Sequence, residues 1–209
     1  MQGDISRDML DRKIEEVKFI CLDTETTGLD PANGGRICEV AMLGSQGGER
    51  AGAYCTLLNP QIYISPEVTA IHGITNEMVK DSPKFGDIAF NMIDFLQGNV
   101  LICHNADFDV SFLRKEFELL GLSMPQVIIL DTLKFARAHG SFSRNRLGII
   151  AQELGFSSEG WHRAMADTIM TEKIFYYFVA KFKEMGASTL GDLVALQSRK
   201  VIGFNKQEI

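Results

Sequence analysis

The order of elements predicts an α/β domain, an open sheet with helices packed against it. Short apolar runs bounded by Gly, Asn and Pro read as strands, and short turns join the first three of them. Later runs of the same kind alternate with segments whose apolar residues fall at helical spacing. The chain has 209 residues, 45% of them hydrophobic, enough for one compact domain that needs no disulfide staple.

Residues 1–16 mix both charges and read as a solvated first helix or a loose segment; they lack the apolar stretch of a signal peptide. Val17 to Leu22 is a buried strand that ends on two acids, Asp23 and Glu25. Residues two apart in extended chain share a face, so both carboxylates project together. Thr26-Thr27-Gly28 supplies a turn. Gly34-Gly35 leads into a second strand, Arg36 to Leu43, and Gln46-Gly47-Gly48 into a third, Ala51 to Leu58. Short connections of this kind make an antiparallel meander.

Pro66 opens a short helix over Glu67 to Ile71, closed by Gly73, and Thr75 caps another over Asn76 to Lys80. After Ser82-Pro83, the residues Phe85, Ile88, Ala89, Met92, Ile93 and Leu96 mark a longer helix. Val100 to Cys103 is a fourth strand, Asp107 to Leu120 a helix ended by Gly121, and Val127 to Leu130 the last strand. From Asp131 the pattern is helical, with breaks near Gly140 and Gly155. A long helix covers Ala164 to Lys183, and a final one takes Ser188 as its cap. The expected division is a charged segment over 1–16, a central domain over 17–185 and a helical tail over 186–209. Leu190, Leu193, Val194 and Leu196 suit that tail to docking on a partner or to packing on the domain itself.

Net charge is −6, which argues against sequence-blind coating of nucleic acid but leaves room for a protein that grips one strand end. Cys21, Cys38, Cys55 and Cys103 form no C-x-x-C pair. They are expected as buried free thiols in the strands, in keeping with a reducing cytoplasm. No apolar run reaches the length of a membrane-spanning helix.

Ligands outside the carboxyl ends of strands are the rule in open α/β sheets, which directs attention to two strand ends. The first carries Asp23 and Glu25. Two carboxylates about 4 Å apart repel by roughly 4 kcal/mol at an effective dielectric near 20. They want a shared proton or a hard divalent cation such as magnesium or manganese. The fourth strand end runs into His104-Asn105-Ala106-Asp107-Phe108-Asp109, and spacing alone leaves open whether Asp107 or Asp109 turns toward Asp23. A third segment holds His162 and Asp167. Five residues apart, these two do not share a helix face, so His162 must reach the site from a loop and Asp167 from the helix. Three separated acidic segments with a histidine suit two-metal phosphoryl chemistry, and imidazole exchanges protons near neutral pH.

These motifs resemble those of the DnaQ-like 3′–5′ exonucleases of the DEDDh class, the group that includes proofreading subunits of bacterial DNA polymerase III. Asp23-Thr24-Glu25-Thr26-Thr27-Gly28 is similar to the first motif, His104 to Asp109 to the second and His162 to Asp167 to the third. Ile71 to Thr75 and Asp131-Thr132-Leu133 are also similar, and the resemblance spans about residues 17–180. It implies a ribonuclease H-like fold, a mixed five-stranded sheet flanked by helices. It implies Asp23, Glu25, Asp109 and Asp167 as ligands of two divalent ions, Mg²⁺ or Mn²⁺, with Asp23 bridging both and Asp107 the variable residue. It implies His162 as general base and substrate contacts at Glu67 and His72, with Thr24 and Leu29 beside the terminal nucleotide. The implied activity is release of nucleoside monophosphates from a single-stranded 3′ end of DNA, in proofreading beside a polymerase catalytic subunit. Trimming of RNA or short oligonucleotides is the alternative within the family. A non-catalytic binding module is the alternative outside it.

One further feature points to nucleic acid. From Thr132 to Gln152 there is no acid, while Lys134, Arg137, Arg144 and Arg146 occur with His139 among them, a pattern that suits backbone phosphates or a solvated helix face. Phe108 and Phe142 are candidates for stacking on bases, with Phe108 the better fit to the core.

Overall fold

The central strand of the sheet is β1 (Lys18–Thr26), paired antiparallel to β2 (Ile37–Gln46) on one side and parallel to β4 (Val100–Cys103) on the other. With β3 (Glu49–Leu57) and β5 (Ile128–Asp131) the order is β3-β2-β1-β4-β5, a mixed five-stranded sheet. The computed structural model describes residues 7–157 and 162–198. The first six residues of the expected charged segment, residues 158–161 before His162 and the expected tail beyond residue 198 lie outside the described residues.

Strand parity sorts the core into two layers. Phe19 and Cys21 face a cluster built on α8 (Ala164–Glu184), with α6 (Thr132–His139), α7 (Leu147–Glu153) and α9 (Leu190–Ser198) around it. Ile20 and Leu22 face the opposite cluster, built on α4 (Phe85–Leu96) and α5 (Ala106–Leu119). The same alternation carries on into the acids. Asp23 and Glu25 fall in phase with Cys21 and so on the α8 side, whereas Thr24 falls on the α5 side.

The strand itself runs further than the apolar pattern indicates. β1 continues through Asp23 and Glu25 to Thr26, because β2 keeps pairing with it: Asp23 opposes Ala41 and Glu25 opposes Glu39, before the register shifts at Glu25/Thr26. The two acids are therefore held by a ladder on a rigid strand, and the turn begins only at Thr27. The meander of the first three strands is as expected. Among the cysteines, Cys21, Cys38 and Cys103 are buried and free, but Cys55 is exposed and free. It lies on β3, at the edge of the sheet.

Helix ends follow local chemistry. Pro66 and the Ser65 cap start α2 (Pro66–His72), and Gly73 ends it at φ 74°. The Thr75 hydroxyl caps α3 (Asn76–Val79). At α9 the cap is Thr189 rather than Ser188: its Oγ1 accepts from the Asp192 N–H (3.2 Å) and donates to Asp192 Oδ2 (3.0 Å). Leu190 and Leu193 are buried in the α8 layer, and the His139 ring donates from Nε2 to the Leu196 carbonyl (2.7 Å). His139 thus faces α9 and leaves the basic run. Phe142 packs on Tyr177 and Phe178, so its ring serves the core. Arg36 and Glu116 make a two-pronged pair with both contacts at 2.8 Å, tying the start of β2 to α5.

Candidate active site

Three carboxylates meet where β1 passes the start of α8. Ligand atoms of Asp23, Glu25 and Asp167 all lie within 4.8 Å of one another. Asp167 occupies the first turn of α8 and is only 7% exposed, yet its Oδ1 has no hydrogen-bond partner. Its carboxylate also accepts from the His162 backbone N–H. A buried, unpartnered carboxylate oxygen costs free energy unless something compensates it. An all-oxygen donor set with such an orphan fits a hard divalent cation.

Asp109 reaches the site from the α5 side. It is 3% exposed, and its Oδ1 accepts from both Thr24 N (3.0 Å) and Thr24 Oγ1 (2.8 Å). It stands outside the trio, but among the charges acting on Asp23 that of Asp109 comes first. Strand parity explains the split: Asp167 meets the acids of one β1 face, and Asp109 meets the threonine of the other. Asp107 is exposed, whereas Asp109 is buried and acts on Asp23.

Burial and mutual repulsion act together on these groups. Asp23 is raised well above the ordinary carboxylate range, first by desolvation and then by Asp109, Asp167 and Glu25. Desolvation, then Asp167 and Glu39, push Glu25 up to about 8. Asp109 is raised to about 7 by burial, against the pull of its Thr24 hydrogen bonds. Asp167 is raised to about 7 by burial, against the His162 N–H. Perturbed acids gathered in one place mark a functional site.

The surrounding frame holds each acid in place. Asp131, at the end of β5, accepts from Asn105 N (3.0 Å), Ala106 N (3.2 Å) and Leu133 N (2.8 Å), so one carboxylate serves the starts of α5 and α6. Asn105 adopts φ 73°, the bend that turns β4 into α5 and sets Asp109. His162 is exposed at φ 64°, immediately before the anchored residue Arg163. Glu39, 2% exposed, receives both the Arg163 guanidinium and the Ala164 N–H (2.9 Å). Glu39, Arg163 and Asp131 were not among the expected site residues. A glutamate in the middle of the apolar run Ile37 to Leu43 is the one sequence signal that asks for a buried cation partner.

The four residues expected to touch substrate share one cleft. Thr24, Leu29, Glu67 and His72 line an opening of about 320 Å³ beside Glu25, and Phe108 adds a ring to its wall. Leu29 is 88% exposed at this cleft. Glu67 is exposed, and a Ser65 hydrogen bond holds its carboxyl below the ordinary range. His72 is buried, with Nδ1 accepting from Ile74 N (3.0 Å) and the ring also bonded to the Thr26 backbone.

Residues 20–175 match the RNase T family model, described as "Exonuclease". A Rhodobacter capsulatus "DNA polymerase III subunit epsilon-like protein" is 32% identical over 182 residues, covering 85% of this chain and 26% of that protein. The "DNA polymerase III PolC-type" of Caldanaerobacter subterraneus is 31% identical over 91% of this chain and 14% of its own length. The chain thus spans about a quarter or less of these curated relatives. In fold it is similar to "Exonuclease X in complex with 5′ overhanging duplex DNA" (TM-score 0.67, 24% identity, 87% of this chain and 99% of that one). It is likewise similar to the nuclease domain of 3′hExo, "a DEDDh family member, bound to rAMP" (TM-score 0.68, 19% identity, 81% and 95%). The family match over most of the length, on a ribonuclease H-like sheet whose acids converge, places this chain in the RNase T exonuclease family, a family of nuclease hydrolases.

Proposed function

We propose that this chain is a 3′–5′ exonuclease that hydrolyses the terminal phosphodiester of DNA and releases nucleoside monophosphates. The observation that carries this reading is the trio of Asp23, Glu25 and Asp167, with the buried, unpartnered Oδ1 of Asp167 among its oxygens. Asp23, Glu25, Asp109 and Asp167 would hold divalent ions, Mg²⁺ or Mn²⁺. Bound there, the ions supply positive charge that offsets the acids and stabilises charge developing on the phosphate oxygens.

The remaining work falls to the chain's own groups. His162 is exposed beside Asp167 and takes the proton of the attacking water as general base. Asp109, fixed by Thr24, keeps its carboxylate toward Asp23. The cleft of Leu29, Glu67, His72 and Phe108 receives the terminal nucleotide: the exposed leucine offers an apolar face to the base and Glu67 an acceptor for the sugar hydroxyl. A proofreading role in the cytoplasm belongs to the same reading, and the polymerase III names of the relatives support the part of it that places the chain beside a DNA polymerase. Among the described residues no helix is long and apolar enough to cross a membrane.

The test is digestion of matched 5′-labelled DNA and RNA oligonucleotides with Mg²⁺ and with Mn²⁺. Shortening of the DNA from its 3′ end, abolished by Asp23→Ala, is the expected result. Cleavage of RNA alone, or an Asp23→Ala protein as active as the wild type, overturns the reading.

A further inference from the structure

A second opening beside the acids carries the opposite charge. Arg137 from α6, with Arg144 and Arg146 from the segment joining α6 to α7, lines an open groove of about 620 Å³ that His104 and Asn105 also border. All three arginines are exposed. Among the described residues, none of the ion pairs involves them. No acid occurs between Thr132 and Gln152, although the chain as a whole has net charge −6. Cations concentrated on one groove of an acidic protein are fit for an anion that the rest of the surface repels.

The arginines are also placed in advance. The His104 ring donates from Nε2 to the carbonyl of Asn145 (3.0 Å), between Arg144 and Arg146, while its Nδ1 lies 2.9 Å from Thr132 Oγ1. A carbonyl only accepts, so the Nε2 proton is fixed. The threonine hydroxyl beside Nδ1 also reaches the Cys103 carbonyl (3.3 Å), at the end of β4. The clamp ties the arginine-bearing segment to the carboxyl ends of β4 and β5. Asn105 lies four residues before Asp109, a separation of about 6 Å along a helix axis. Asn105 borders the groove, and Phe108 lines the nucleotide cleft.

We propose that this groove binds the sugar-phosphate backbone of the strand being degraded, at nucleotides upstream of the one in the cleft. The proposal rests on the exonuclease reading above and adds to it a second contact region, remote from the scissile bond. Guanidinium forks match phosphate oxygens in pairs, which favours arginine for this task. The enzyme would then prefer long strands to short ones, and that preference would weaken with salt. For single strands each phosphate contact contributes about −0.7 to the slope of log affinity against log salt concentration.

The test uses the full chain and the triple variant Arg137→Gln/Arg144→Gln/Arg146→Gln. All three positions are exposed, so the variant is expected to keep its fold. The substrates are a 20-nucleotide DNA strand and the p-nitrophenyl ester of thymidine 5′-monophosphate, which is too short to reach the groove. Anisotropy of the labelled 20-mer in Ca²⁺ measures binding without turnover. The expected result is on the order of a tenfold or greater rise in KM and Kd for the 20-mer. The salt slope becomes shallower by about 2, and hydrolysis of the ester stays at the wild-type rate. Unchanged KM and Kd for the 20-mer overturn the proposal, as does an equal loss on both substrates. If the wild type hydrolyses neither substrate, the exonuclease reading falls, and the anisotropy still decides whether the groove holds a strand.

Discussion

Arg163 closes a two-pronged ion pair on Glu39, with Nη2 2.6 Å from Oε1 and Nε 3.2 and 3.1 Å from the two carboxylate oxygens. The pair joins the strand rung opposite Glu25 to the residue that follows His162. It fixes where α8 begins, and with it the placement of both His162 and Asp167.

The two partners differ in burial, and the effects of removing them should differ accordingly. The Glu39 side chain is 2% exposed and that of Arg163 46%. Arg163→Ala leaves a buried carboxylate with the Ala164 N–H alone, a loss of about 3–5 kcal/mol. Glu39→Gln leaves a guanidinium that water can reach and should cost less. Urea denaturation of the two variants checks the order. In activity, Glu39→Gln should lower kcat with little change in KM, because the nucleotide cleft is lined by other residues. A rise in KM alone would show that the pair serves substrate binding and not the placement of His162.

Thr24 makes a pH-dependent contribution. Its N–H and hydroxyl both donate to Asp109, which is raised to about 7. Thr24→Val removes the hydroxyl, and a hydrogen bond to a charged group is worth about 1.5–3 kcal/mol. The carboxylate is charged above its pKa, so the destabilisation should be larger at pH 8.5 than at pH 6. Denaturation at the two pH values measures it, and equal losses would show that Asp109 does not titrate between them.

The acid cluster should make the metal-free protein less stable as pH rises. Glu25 is raised to about 8, and Asp109 and Asp167 to about 7, in the folded chain. In the unfolded chain the same groups ionise near pH 4. Between those values the folded state holds more protons, so its advantage is greatest below pH 4 and declines until pH passes about 8. A divalent cation that binds only the folded state reverses this, and more strongly at high pH. Melting curves in EDTA and in Mn²⁺ at pH 6 and pH 8.5 check both directions. A metal-free Tm that rises with pH across this range would count against the raised acids as a dominant influence.

Leu29 separates binding from folding. At 88% exposed it makes almost no contribution to the core, so Leu29→Ala should leave Tm within about 1 °C. As a wall of the nucleotide cleft it should still raise KM severalfold. Steady-state kinetics on a DNA strand measures this, and an unchanged KM would remove Leu29 from the substrate contacts.

Much of the site is legible in sequence because strand geometry is local. The i, i+2 spacing of Asp23 and Glu25 sets their common face without knowledge of the fold, and β1 keeps that face. What local pattern misses is set by tertiary partners. β1 outlasts its apolar run because β2 goes on pairing through Glu39 and Ile37. Cys55 is exposed because β3 has only one neighbour, and Ala-Gly-Ala-Tyr-Cys does not record which strand is the edge. His139 and Phe142 leave the basic run because α8 and α9, distant in sequence, offer them partners. The arginines stay, since charge is visible in sequence and nothing among the described ion pairs neutralises them.

The most direct test of the central claim is a titration of Mn²⁺ into the metal-free protein, read by the EPR signal of the free ion. The wild type should remove manganese from solution, and Asp167→Asn, which replaces the buried, unpartnered oxygen's charge with a neutral amide, should bind it at least about tenfold more weakly. A wild-type protein that takes up no manganese, or an Asp167→Asn protein that binds it equally well, would contradict the claim that these converging carboxylates are built around a cation.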